Sequence, residues 1–377
     1  MNILLAPDAF KDCLSARQVA EALESGMQRI WPEAVFQIAP MADGGEGTVE
    51  AVIDATLGDL VKIRVMDPLM REIPSLYGIS GDGKTGVIEM AAASGIELLT
   101  SDEKDPWTTT TYGTGQLIKD ALDKGCKKIL LGIGGSATND CGAGMAQALG
   151  VKLTNNSCEP VSPGGGSLGH VAGIRTDGLD SRIAGTEILV ACDVSNPLTG
   201  PTGASAIYGP QKGADPDMVG KLDQNLGHFA KLIAQQLGRD VSMVPGAGAA
   251  GGLGAGLMAF LGARLMKGFD LIAEVVGLEE KIVQADLVIT GEGKMDGQTQ
   301  FGKTPFGVAQ LAQKHGKPVI GIAGSVEEGV EELYKMGFNV ILPIQEKPAD
   351  LNFAISHARE ILKRSGERIA RMIDLKV

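Results

Sequence analysis

The sequence predicts an α/β protein of two domains: a flavodoxin-like doubly wound parallel sheet, and an inserted mixed-sheet α/β domain. Three observations point there. Five compact apolar runs, at 2–6, 35–39, 286–290, 318–323 and 339–343, are each followed by loop and helix patterns, as strands covered on both faces are. Between 61 and 90 the rhythm changes to three closely spaced strand patterns. Two more buried-strand runs, at 128–133 and 187–192, follow in the middle of the chain. Residues 1–60 and 271–377 are therefore expected to form one discontinuous domain, with 61–270 inserted after its second strand.

The elements follow in order. After the first run, Ser15 is placed to cap a helix in which Val19, Leu23 and Met27 recur at four-residue spacing. The runs 61–66, 75–80 and 86–90 are separated by the turn signals Asp67-Pro68 and Gly81-Asp82-Gly83, which reads as an antiparallel meander. The Gly/Ser/Pro-rich stretch 162–169 reads as an exposed loop, and a last helix pattern spans roughly 350–372.

Bulk composition narrows the function. At 44% hydrophobic and 21% charged the chain is ordinarily globular. A net charge of −12 offers no basic footprint for nucleic acid or anionic lipid, and 4% aromatics offers no stacking platform for single strands. No signal peptide or membrane span is readable, and the five scattered cysteines form no C-x-x-C pair. A cytoplasmic protein acting on a small molecule is the expectation, and a homo-oligomer stays open.

In a doubly wound sheet, ligands bind beyond the carboxyl ends of the strands. Those ends read Pro7-Asp8-Ala9-Phe10-Lys11, Asp43-Gly44-Gly45-Glu46-Gly47, Gly291-Glu292-Gly293-Lys294-Met295-Asp296 and Gly324-Ser325. Asp43 alone reads equally as a helix cap, but three carboxylate-bearing loops on one edge suggest a Mg²⁺ site of Asp43, Glu292 and Asp296. In the insertion, the run 128–133 leads into Gly134-Gly135-Ser136 and then a helix of small residues. Strand, glycine turn and helix start form an anion-binding arrangement, here a candidate for nucleotide phosphates, although a capped tight turn would look the same. The run ending at 192 is followed by Asp193, a metal ligand or base for a substrate hydroxyl. Lys212 reads either as a neutraliser of phosphate or carboxylate or as a solvated surface lysine. Lys11, Arg71 and Lys294 are candidates for a substrate carboxylate or the transferring phosphate, with Asp8 or Asp193 accepting the hydroxyl proton.

Two glycine motifs are weaker. Gly297 to Thr304 spells G-x-x-x-x-G-K-T, the phosphate-loop pattern, but it does not follow its strand directly and too little chain remains after it. Gly302, Lys303, Thr304 and Pro305 read instead as a helix start. Gly246 to Gly251 fits G-x-G-x-x-G, yet Pro245 abuts the first glycine where a strand should end.

Taken together, the blocks 6–16 (APDAFKDCLSA), 41–48 (MADGGEGT), 132–150 (GIGGSATNDCGAGMAQALG), 191–204, 208–214, 245–256 and 290–309 (TGEGKMDGQTQFGKTPFGVA) resemble the glycerate kinase family, of the bacterial glycerate 2-kinase type. The resemblance spans nearly the whole chain. It implies ATP-dependent phosphorylation of D-glycerate to 2-phosphoglycerate, with 3-phosphoglycerate as product not excluded, and an active site in a cleft between two domains. Lys294 stands where the family often has Arg, which loses bidentate geometry, and Cys141 where Gly is frequent. Two other readings compete: an NAD(P)-dependent oxidoreductase on a small hydroxy acid, resting on Gly246–Gly251, and a non-catalytic hinged binding protein.

Overall fold

The computed structural model describes residues 1–297, 299 and 303–375, arranged as two compact units. The first comprises residues 1–43, 50–56 and 269–377; the second comprises 44–49 and 57–268. The chain thus crosses between the units after residue 43, returns after 49, and crosses again after 56, at the end of the helix Thr48–Thr56.

The first unit holds a five-stranded parallel sheet of β1 (Asn2–Leu5), β2 (Val35–Ile38), β11 (Leu287–Met295), β12 (Val319–Val326) and β13 (Val340–Pro343). Its order is β13-β12-β11-β1-β2, all parallel, the flavodoxin-like arrangement. Ile3, Leu5, Ile289 and Ile322 on the strands pack with Val19, Leu23 and Met27 of the helix Ala16–Met27 and with Ile361 and Leu362 of the helix Leu351–Ile373. Ser15 closes a capping box on the first of these helices: its hydroxyl accepts from the Gln18 N–H, and Gln18 Oε1 accepts from the Ser15 N–H at 3.0 Å. Asp350 caps the last helix by accepting from the Phe353 N–H.

The second unit is built on a six-stranded mixed sheet of β3 (Asp59–Met66), β4 (Glu72–Ile79), β5 (Thr85–Glu89), β6 (Lys128–Gly132), β9 (Glu187–Ala191) and β10 (Arg264–Met266). The first three form the expected meander, and β5, β6, β9 and β10 run parallel. A small hairpin, β7 (Lys152–Thr154) with β8 (Gly173–Arg175), stands apart. Ile88, Leu131 and Val190 from the sheet share one core with Leu117, Phe229 and Leu257 from helices. No described helix is long and apolar enough to cross a membrane.

One expectation fails here. The stretch 162–169 is not an exposed loop: Gly164, Gly165, Gly166 and Leu168 are buried, and Gly165–His170 forms a 3₁₀ turn. Asn225, on the helix Pro216–Leu237, donates its amide to the Gly165 and Gly166 carbonyls, and the glycines admit the Pro106 and Asn139 carbonyls where any side chain would collide. Composition alone does not distinguish glycines that float from glycines that pack.

Candidate active site

In the first unit the site follows from strand register. The order of strands reverses direction between β1 and β11, and such a switch point opens a crevice at the carboxyl ends of its two strands. Leu5 pairs with Ile289, and the pairing continues past β1, with the Asp8 N–H donating to the Gly291 carbonyl at 2.8 Å. Asp8 is thereby set beside Glu292. On the other side, the Met41 N–H donates to the Pro7 carbonyl at 2.9 Å, which brings Asp43 to the same edge. Asp43 lies well ahead of the helix Thr48–Thr56, so it is not that helix's cap.

Charge accumulates at this edge. Burial, then the neighbouring Asp43 and Glu292 charges, push the Asp8 carboxyl up to about 7, although the Ala9 N–H donates to it at 2.7 Å. Burial also raises Glu292, against the pull of Lys303, whose Nζ lies 3.2 Å from Glu292 Oε2, and of the Thr299 hydroxyl, which donates at 2.9 Å. Asp8, Lys11, Asp43, Glu292, Lys294 and Lys303 line one cavity of about 750 Å³ within this unit, with Gly324 and Ser325 from the end of β12. Asp296 does not line it. Lys294 bridges Glu327 at 2.8 Å and Asp296 at 3.7 Å across the rim.

Lys303 corrects an expectation. It does precede a helix, Thr304–Lys314, but its ammonium reaches back to Glu292 instead of serving only as a helix entry. Residues 298 and 300–302 of the apparent phosphate-loop spelling, Gly302 among them, lie outside the described residues. No local pattern pairs a strand-end glutamate with a lysine eleven positions on; the 3.2 Å contact is a fact of the fold.

In the second unit the predicted residues fall into three places. Lys212 is no surface lysine: it is 2% exposed, and its ammonium donates to Ser136 Oγ at 2.6 Å and to the Thr138 carbonyl at 2.7 Å. Burial lowers its pKa to about 7, with the Asp140 charge acting in the other direction. Gly134 and Gly135 are exposed beside the Ser136 it holds. The helix-end part of the anion reading does not hold. The helix Ala143–Ala148 starts well after the glycines, and the Asp140 carboxylate accepts from the Gly142 and Gly144 N–H groups at its start. Asp140 also accepts from the Thr111 N–H at 2.8 Å and from the Thr110 and Thr111 hydroxyls; burial raises its pKa while these bonds restrain the shift. This fully buried carboxylate was missed, although the threonine run 108–111 is a visible source of donors.

Arg71 is drawn to Asp67 and Glu103, each at 2.6 Å, so its charge is already matched locally. Asp193 is exposed and accepts from the Gly268 N–H at 2.9 Å. The G-x-G-x-x-G stretch opens no helix after a strand. Ala250, Gly251 and Gly252 form a left-handed kink at the start of Ala249–Leu261, and a Cβ on Gly251 would stand 1.9 Å from the Thr138 carbonyl oxygen. Those glycines pack against the 138–141 segment, which removes the support for a dinucleotide-binding oxidoreductase.

Comparison with known proteins agrees with this chemistry. The model of the glycerate kinase family matches residues 3–374. A glycerate kinase from Bacillus subtilis (strain 168) is 49% identical over 375 residues, covering 100% of this chain and 98% of that protein. A glycerate 2-kinase from Escherichia coli (strain K12) is 50% identical over 370 residues, 98% of this chain and 97% of its own. A crystal structure from Salmonella typhimurium LT2, provisionally named glycerate kinase 2, superposes with a TM-score of 0.91 at 46% identity, covering 99% of this chain and 98% of the other. The chain belongs to the glycerate kinase family, phosphotransferases with an alcohol acceptor.

Proposed function

We propose that this chain transfers the terminal phosphate of ATP, with Mg²⁺, to D-glycerate, giving 2-phosphoglycerate and ADP. The observation that carries the reading is the concentration of Asp8, Asp43 and Glu292 with Lys11, Lys294 and Lys303 at one sheet edge. Phosphoryl transfer asks little covalent chemistry of a protein and much positioning and charge neutralisation. The 2-position is supported by the name of the E. coli relative.

A divalent ion suits this donor set. A carboxyl pushed up to about 7 by burial, and next by neighbouring carboxylates, is relieved by a proton or by a cation. Among the described residues no three His, Cys, Asp or Glu side chains form a ready-made cage. That suits Mg²⁺, which takes one or two carboxylates and completes its shell with phosphate oxygens and water. One or two of Asp8, Asp43 and Glu292 would hold it, with Asp296 beside Lys294 outside the cavity. When bound, the ion would offset charge on the phosphate oxygens. Lys11 and Lys294 would meet the glycerate carboxylate or the moving phosphate. The Gly134 and Gly135 N–H groups and the Ser136 hydroxyl would meet phosphate oxygens, with Lys212 positioning Ser136 rather than touching substrate. Arg71, already paired, is the weakest of the original candidates. Asp8 or Asp193 would take the hydroxyl proton.

The test is ADP release coupled to D-glycerate consumption, with ³¹P and ¹³C NMR of the product. Phosphate on carbon 2, dependent on Mg²⁺, is expected; phosphate on carbon 3, or no turnover with any nucleoside triphosphate, overturns the reading. An Asp193→Asn variant with full turnover would remove Asp193 and leave Asp8 as the acceptor.

A further inference from the structure

The cavity at the switch point has two dissimilar ends. One is the charged edge described above. The other is apolar and is formed by Ile344, just after β13, together with Leu351, Ala354, Ile355 and Ala358 on one face of the helix Leu351–Ile373. Leu351, Ala354, Ile355 and Ala358 recur at three- and four-residue spacing, which puts their side chains on a single stripe. Ile344 and Ala358 are buried, whereas Leu351 is 73% exposed, an unusual position for a large apolar side chain beside a cavity. Gln345 also lines this end, and among the described residues no hydrogen bond to its amide is recorded.

We propose that this apolar end binds the nucleobase of the phosphate donor. The inference rests on the kinase reading above and deepens it by assigning the base. The acceptor cannot account for this surface. Glycerate has a carboxylate, two hydroxyls and no apolar face, so it is matched by the lysines and carboxylates alone. A nucleoside triphosphate has both characters at opposite ends: an anionic tail, and a planar base whose faces lose little on leaving water. A single cavity of about 750 Å³, within the usual range for small-molecule sites, joins both kinds of wall. The triphosphate points toward Lys11, Lys294 and Lys303, and the base lies between Ile344 and the Leu351–Ile355 stripe. The Gln345 amide both donates and accepts, as the polar edge of a purine requires. Exposed Leu351 then becomes a cover for the base rather than a stray surface residue.

The test separates the base from the tail and this proposal from the one beneath it. A Leu351→Trp variant, substituted at an exposed position, carries a reporter at the apolar end. Adenosine and ADP should each change its tryptophan emission, and inorganic tripolyphosphate should not. An Ala354→Glu variant, checked by thermal melting for a native transition, should raise the KM for ATP at least tenfold while leaving the KM for D-glycerate within threefold. If the unaltered protein turns over and both variants leave nucleotide binding untouched, or if tripolyphosphate but not adenosine perturbs the reporter, the base lies elsewhere and only this proposal falls. If the unaltered protein phosphorylates glycerate with no nucleoside triphosphate, the kinase reading itself falls.

Discussion

Asp8 keeps its proton in the fold up to about pH 7, whereas an ordinary aspartate releases it near 3.8. Folding therefore takes up a proton between those values, and the stability Asp8 contributes falls as pH rises through that window. At one pKa unit per 1.36 kcal/mol, the cost at pH 8 is on the order of 2–4 kcal/mol. An Asp8→Asn variant should accordingly melt higher than the parent at pH 8 in EDTA, lose that advantage near pH 4, and lose turnover on the order of a hundredfold. Equal melting temperatures at both pH values would mean that Asp8 is not held against its neighbours' charge. The same comparison with excess Mg²⁺ should shrink the difference, because a cation relieves the parent. Lys212 shows the complementary case. Its ammonium is desolvated to hold Ser136 and Thr138, so a residue that looks like a solvent-facing charge in the chain is a fastener in the fold.

Helices in the first unit meet at distances that only small residues permit. Where Ala16–Met27 crosses Leu351–Ile373, a Cβ on Gly26 would stand 1.9 Å from the Lys363 carbonyl oxygen, and one on Gly366 would stand 2.4 Å from the Leu23 carbonyl oxygen. The clash at each position is with backbone, which cannot swing aside as a side chain can. Gly366→Ala gains helix propensity of roughly 1 kcal/mol yet forces two packed helices apart, and overpacking of this kind costs about 1–3 kcal/mol. The expected outcome is a lower melting temperature, with Ser365→Ala, a neighbouring change that adds no volume, much milder. A Gly366→Ala protein as stable as its parent would show that the crossing can relax. The last helix also carries the apolar stripe assigned to the base, so this variant should weaken ADP binding as well.

At the level of the whole molecule, the two units differ in how the chain builds them. The six strands of the second unit's main sheet all lie within 57–268, together with the core they share with helices. The first unit needs both ends of the chain, because β1 and β2 are N-terminal while β11, β12 and β13 are C-terminal. A fragment of residues 57–268 should therefore fold alone, with a cooperative melt by circular dichroism. A fragment of 269–377 should not, since removing β1 exposes the edge of β11 and strips the core of Val19, Leu23 and Met27. Cooperative folding of 269–377 by itself would contradict this account.

Local signals were enough for a great deal of this. Apolar runs bounded by turns marked the parallel strands, Ser15 ahead of the Val19, Leu23 and Met27 spacing marked a helix start, and closely spaced strand patterns marked the meander, because periodicity and capping are properties of neighbouring residues. The carboxylates at the strand ends were legible for the same reason: a parallel sheet puts its loops at predictable places along the chain. What no local pattern could decide was which loops would meet and which side chains would be buried. The β1–β11 register set Asp8 beside Glu292 across most of the sequence. The burial of Lys212 and Asp140, the packing of the 162–169 glycines and the left-handed kink at Gly251 depend on segments distant in sequence. Their energies come from desolvation and close approach, which exist only once those segments are packed together.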